Sequence, residues 1–166
     1  MTNPPAPPVE RAIPPAVVTK LGNPVLTWLL SGQRRAARLG QSLLLLHVTG
    51  RRSGRVYSTP VAHHRQVDGS LLVLTSSLWR VNLRGGPTPV TVTLLGRRRT
   101  ATAVLQEDPV AVAEDYQRLI EEYGPAKAGQ RLGIRVNVDR APTLDELVDA
   151  ARREHLSTIR LEVAAS

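Results

Sequence analysis

The chain has 166 residues, 42% of them hydrophobic and only 3% aromatic, with no Phe and no Cys; at this size that supports a core of Leu, Val, Ile and Ala. The missing cysteines exclude disulfides, thiolate metal sites and a cysteine nucleophile. A formal charge of +8, with Lys20 and Lys127 the only lysines, leaves three partners to weigh: an anionic ligand met by guanidinium forks, an anionic membrane surface, or nucleic acid.

Residues 1–15 hold Pro4, Pro5, Pro7, Pro8, Pro14 and Pro15. Such a stretch lacks backbone donors and apolar bulk, so it is predicted to be an extended or disordered tail. A single domain is expected over 16–166. From 15 to 39, Val17, Val18, Leu21, Val25, Leu26, Leu29 and Leu30 fall at helical spacing. Asn23 and Pro24 restart the run as N-cap and first helical residue, and Arg34, Arg35 and Arg38 follow it. This helix either packs on the rest of the domain or touches a membrane surface with a basic amphipathic face. No apolar run reaches the ~18 residues of a membrane span, and the start lacks a signal-peptide pattern. The expected location is therefore cytoplasmic, with peripheral membrane contact through the N-terminal helix as the variant.

Strands come next. Residues 43–48 form an apolar run, and Gly50-Arg51-Arg52-Ser53-Gly54 turns it into a second strand over 56–63. Asp68-Gly69 is a hairpin signal before a third strand at 71–75. Residues 89–95 alternate cleanly, and Gly96 turns them into 99–105, where Ala101, Ala103 and Leu105 share a face. Strands at this spacing favour an antiparallel barrel. Asp108-Pro109 starts a helix whose apolar face is Val110, Val112, Ala113, Tyr116, Leu119 and Ile120, and Gly124-Pro125 ends it. A strand is expected within 132–138 and another at 158–163, separated by a helix that Thr143 caps with Glu146 three residues on.

Three places carry chemistry. The turn 50–54 packs two glycines with Arg51, Arg52 and Ser53, a donor set for phosphate or carboxylate; it reads equally as a solvated hairpin. It is not a Walker loop, since the required spacing is absent. Thr59-Pro60 lies in the second strand, where a proline belongs at an edge or a bulge that re-aims Tyr57 and Thr59. After the third strand come Ser76, Ser77, Trp79 and Asn82: small hydroxyls that let a planar ligand approach, an indole that can wall it, and an amide that can pair with it. The plainer reading makes Trp79 a core anchor and Asn82 a turn cap. His63 and His64 are adjacent and face opposite sides of a strand, so they cannot chelate one metal, and no metal site is expected. No serine–histidine–aspartate set or paired carboxylates are legible.

Taken in order, 45–54 (Leu-Leu-His-Val-Thr-Gly-Arg-Arg-Ser-Gly), Thr59-Pro60, Asp68-Gly69 and Trp79-Arg80-Val81-Asn82-Leu83-Arg84 before Pro87 resemble the deazaflavin (coenzyme F420)-dependent nitroreductases, within the larger flavin/deazaflavin oxidoreductase group. The resemblance covers about residues 24 to 105. It implies a mainly β fold with flanking helices (α+β), the split β-barrel of FMN-binding-like type, which frequently forms homodimers. It implies that coenzyme F420, with FMN as second choice, is held at its phosphate and glutamyl tail by Arg51, Arg52, Ser53, Tyr57, Ser58, Thr59 and Pro60, and at its ring by Ser76, Ser77, Trp79 and Asn82. The implied activity is hydride transfer from reduced F420 to a planar electron-poor acceptor: a quinone, an enone or a nitro compound. The product proton would come from water or from a hydroxyl such as Tyr57 or Tyr123. Nucleic acid is not an expected partner, because the arginines are scattered and stacking aromatics are scarce. A split barrel that binds a flavin, deazaflavin or lipid without turnover is the alternative. Two departures stand out. Ser77 runs almost directly into Trp79 where the family often has a longer Gly/Lys-rich loop. A basic residue is common in the family where Tyr57 stands, with Arg55 or Arg80 as the substitute here.

Overall fold

The computed structural model describes residues 4–12, 28, 31–32 and 41–165. The helix expected over 15–39, with its membrane-facing reading, lies outside them apart from Trp28, Ser31 and Gly32. Contacts divide the chain into two compact units, one of residues 14–105 with 159–166 and one of residues 1–13 with 106–158. The sequence reading placed all of 16–166 in one domain.

The first unit is β-rich. Its strands are β2 (Leu43–Thr49), β3 (Val56–Ala62), β4 (His64–Arg65), β5 (Leu71–Thr75), β6 (Thr88–Leu94) and β7 (Arg97–Gln106). With β9 (Ser157–Val163) they form a seven-stranded sheet ordered β3-β2-β6-β7-β9-β5-β4. The β2–β3, β2–β6, β4–β5 and β6–β7 pairs are antiparallel. This is the mainly β, split-barrel-like α+β class. Alternation decides the core: Leu44, Leu46 and Val48 of β2 point to one face with Val90 and Val92 of β6 and Ala101 and Ala103 of β7. Leu71, Val73, Leu83, Ile159 and Leu161 complete it, each buried Leu or Ile contributing about 1.5–3 kcal/mol before entropy is charged against it. Pro60 sits in β3 at the edge of the sheet, where its missing donor costs least.

The second unit is helical. In α1 (Pro109–Tyr123), Asp108 caps the start by accepting from Ala111 N at 3.0 Å. Val112, Ala113, Tyr116, Leu119 and Ile120 are buried as the periodicity expects, whereas Val110 is exposed. Gly124 then opens a helix the sequence reading missed, α2 (Pro125–Leu132), which leads into β8 (Ile134–Val136). In α3 (Leu144–Arg153), Thr143 and Glu146 form the expected capping box. Arg140 adds a 2.7 Å ion pair to Glu146; that hydrogen bond, with the Thr143 backbone, holds the Glu146 carboxyl down at about 2.

The N-terminal tail needs correcting. Within residues 1–15, β1 (Val9–Arg11) pairs antiparallel with β8, Val9 opposite Val136 and Arg11 opposite Ile134. Val9 is fully buried. Asn137 donates through Nδ2 to Pro7 O at 2.8 Å, and Arg153 donates to Val9 O at 2.9 Å. Proline-rich flanks do not prevent a three-residue strand when its one large apolar side chain finds a core and its carbonyls find donors.

Candidate functional site

The site begins at the end of β2. Gly50 N–H donates to Arg55 O at 2.7 Å, and Gly54 N–H closes back on Gly50 O at 2.9 Å. Gly54 takes a left-handed φ of 65°, a conformation that favours glycine. Gly50 is needed for a different reason. A Cβ there would stand 2.6 Å from Ser53 Oγ and 2.9 Å from Tyr57 Cε2. The Tyr57 ring therefore lies over a position without a side chain. Ser53 Oγ sits 3.3 Å from Tyr57 Oη and also accepts from Arg55 N at 3.3 Å.

The facing wall is a 3-10 helix, Leu78–Leu83, also missed in the sequence reading. Arg80 anchors its entry. Its guanidinium is buried and donates to the carbonyls of Ser76 and Ser77 at 3.1 and 3.0 Å. Arg80 is thus turned inward and is not available to replace a basic residue at Tyr57. Asn82 joins the two walls. Its Oδ1 accepts from Arg51 N–H at 3.0 Å, across 31 residues of sequence, and its Nδ2 donates to Trp79 O at 2.9 Å. One amide thereby sets the spacing between the arginine turn and the tryptophan helix.

Between the walls lies a cleft of about 940 Å³. Its lining divides by chemistry: Arg51, Arg52 and Ser53 from the turn, then Tyr57, Leu78, Trp79 and Val81 with Arg84 beside them. Leu78 is 80% exposed at its lip. Neither Arg51 nor Arg52 forms an ion pair with an Asp or Glu among the described residues. Guanidinium groups left in this way beside a turn are suited to bidentate capture of phosphate or carboxylate.

Of the residues singled out from the sequence, Arg51, Arg52, Ser53, Tyr57, Trp79 and Asn82 line this cleft together. The pleat separates the rest of β3. Tyr57 and Thr59 lie opposite Val48 and Leu46, on the core-facing side of the pleat, while Ser58 and Pro60 lie opposite His47 and Leu45. Ser58 Oγ is bound to His47 Nδ1 at 2.6 Å, and His47 Nε2 reaches Thr93 Oγ1 at 2.8 Å. His47 is therefore a buried polar clasp across β3, β2 and β6. Burial, with Arg98 adding charge repulsion, holds its imidazole below the usual 6.5. Ser76 and Ser77 are part-buried, with their carbonyls held by Arg80 rather than lining the cleft. Tyr123 belongs to the helical unit, where the Arg131 guanidinium lies 4.7 Å from its ring centre. Among the described residues, no group of three or more His, Asp or Glu could hold a metal, and no helix is long and apolar enough to cross a membrane.

A family model described as F420H(2)-dependent quinone reductase matches residues 30–141, more than half of the chain and including every residue of the cleft. No curated protein matches. A solved structure described as a domain-swapped dimer is similar over 87% of this chain and 96% of its own, at 16% identity and a TM-score of 0.45.

Proposed function

The chain belongs to the F420H(2)-dependent quinone reductase family and is an F420-dependent reductase; from that premise we propose that it passes a hydride to a planar electron-poor acceptor, a quinone first, with enones and nitro compounds as further acceptors. The observation that carries the reading is the Asn82 bridge, which holds an arginine turn and an indole as two walls of one cleft.

The donor set fits the coenzyme. An acidic tail needs guanidinium and hydroxyl donors, and Arg51, Arg52 and Ser53 are together on one turn. A flat ring needs an apolar wall, and Trp79 with Val81 offers one. When bound, the reduced deazaflavin supplies the hydride. The chain does the rest. Arg51 and Arg52 grip the tail, Trp79 backs the ring, and Asn82 keeps the two grips at one spacing. Rate enhancement then comes mainly from placing donor and acceptor in register. Tyr57 Oη, beside Ser53 Oγ at 3.3 Å and in the cleft, holds the product's proton; it is preferred to Tyr123 because Tyr123 is not among the cleft residues. The exposed Leu78 contributes an apolar lip for the acceptor.

Titration with oxidised F420, followed by absorbance, tests binding; oxidation of reduced F420 with a quinone under steady-state conditions tests turnover. Saturable spectral change with turnover supports the proposal. Binding without turnover leaves a carrier rather than an enzyme. No spectral change at saturating coenzyme refutes the assignment of the cleft.

A further inference from the structure

The hairpin joining β6 to β7 is not an ordinary solvated turn. Its two loop residues, Leu95 and Gly96, both have positive φ, 51° and 74°. This is primed-turn geometry, which prefers Asn-Gly. A leucine is disfavoured there by contact between its Cβ and the following carbonyl. Its side chain is also 45% exposed, so burial does not offset the strain. The β4–β5 hairpin carries a second exposed aliphatic, Val67, which is wholly open to solvent. Both hairpins lie alongside the C-terminal half of β9: Ala164 N–H donates to Thr100 O at 3.0 Å, and Arg160 binds Asp68 at 2.9 Å.

Charge surrounds the first tip. Arg97, Arg98 and Arg99 follow it directly and border a shallow depression with Ala164 and Ala165. None of the three pairs with an Asp or Glu among the described residues, and the residues outside that set contain neither acid. The imbalance extends over the unit. Residues 14–105 with 159–166 hold fourteen basic and two acidic side chains, a net of +12, whereas the helical unit holds eight basic and twelve acidic, a net of −4; the two give the chain's +8.

We propose that the β6–β7 hairpin docks the β-rich unit onto an anionic bilayer surface, with Leu95 entering the interface and Arg97, Arg98 and Arg99 on the headgroup phosphates. Aliphatic tips with a basic collar suit a lipid interface, where apolar insertion and headgroup attraction add. A nucleic-acid groove would gain nothing from Leu95 or Val67, and the tips carry no aromatic for stacking. The proposal does not depend on the cleft or on the segment outside the described residues.

Co-sedimentation of the full chain with phosphatidylcholine vesicles, with and without phosphatidylglycerol, tests it. Binding is expected only with phosphatidylglycerol present. Arg97→Gln with Arg98→Gln and Arg99→Gln should weaken it roughly a hundredfold, about fivefold per arginine. Leu95→Asn, the residue this turn prefers, should keep or raise Tm while weakening binding several-fold. Arg51→Gln with Arg52→Gln, away from the hairpin, should leave binding close to that of the unaltered chain. Sedimentation with neither vesicle, equal sedimentation with both, or retained binding in the triple variant overturns the proposal. So does an equal loss per charge at Arg51 and Arg52, or tighter capture by duplex DNA at the same salt.

Discussion

Asn82→Ala isolates the bridge on which the cleft depends. It removes the acceptor for Arg51 N–H at 3.0 Å and the donor to Trp79 O at 2.9 Å. A neutral hydrogen bond contributes about 0.5–1.5 kcal/mol net. Arg51 is exposed, so water replaces much of what is lost there. Global stability should fall by about 1 kcal/mol, roughly 2–4 °C in Tm for a chain of this size. Coenzyme binding should fall further, because the freed turn must then be ordered during binding. A loss of about 1–2 kcal/mol corresponds to roughly 5–30-fold in Kd. Asn82→Asp sharpens the test. It keeps an acceptor for Arg51 N–H, but sets an oxygen against Trp79 O and adds a negative charge beside an anionic ligand's site. The expected order of affinity is native, then Ala, then Asp. Absorbance titration with F420, alongside thermal unfolding, measures both effects. If Asn82→Ala binds F420 within about twofold of the native chain, the bridge does not organise the cleft and the argument fails.

Arg51→Ala with Arg52→Ala should raise the Kd for F420 at least tenfold, since hydrogen bonds to charged groups contribute about 1.5–3 kcal/mol each; it should also flatten the salt dependence of binding, and unchanged affinity would remove the tail-binding role. Gly50→Ala places a Cβ 2.6 Å from Ser53 Oγ and 2.9 Å from Tyr57 Cε2. These are mobile side-chain ends, so we expect stability to hold within about 0.5 kcal/mol while F420 affinity drops several-fold; a large loss of Tm instead would mark Gly50 as structural. His47, buried and held below 6.5, stays neutral in the folded chain while the unfolded chain takes up a proton at higher pH. Its contribution is therefore complete above pH 6.5 and declines as pH falls through that value to the lower folded one. Unfolding curves between about pH 8 and pH 5 should show this slope, and His47→Gln should lose it; an identical slope in the variant would assign it to another group.

The amino-acid order alone was enough for whatever depends on near neighbours. Apolar runs and turn signals located β2, β3 and β5, and alternation located β6 and β7, within a few residues. Asp108 and Thr143 announced their helices because a cap acts on backbone donors two or three positions away. The glycine-flanked arginine turn and the Trp79–Asn82 segment were visible as donor-rich and aromatic stretches. The 3-10 helix was not, because its entry rests on Arg80 folding back onto two carbonyls, and a long basic side chain reads in sequence as surface. Nor was β1, whose partner strand lies more than 120 residues away.

What tertiary structure decided was direction and distance. Tyr57 and Ser58 are consecutive, yet the pleat sends one to the cleft and the other to His47, and that parity is set by β3's register on β2. Arg51 and Asn82 meet only because two segments 31 residues apart are packed on one core. Composition determined that this chain would be basic. Residue order already places the excess in the segment 14–105, with thirteen basic side chains and one acidic; chain folding determined that Arg97, Arg98 and Arg99 would stand beside Ala164 and Ala165, because burial and pairing act through space.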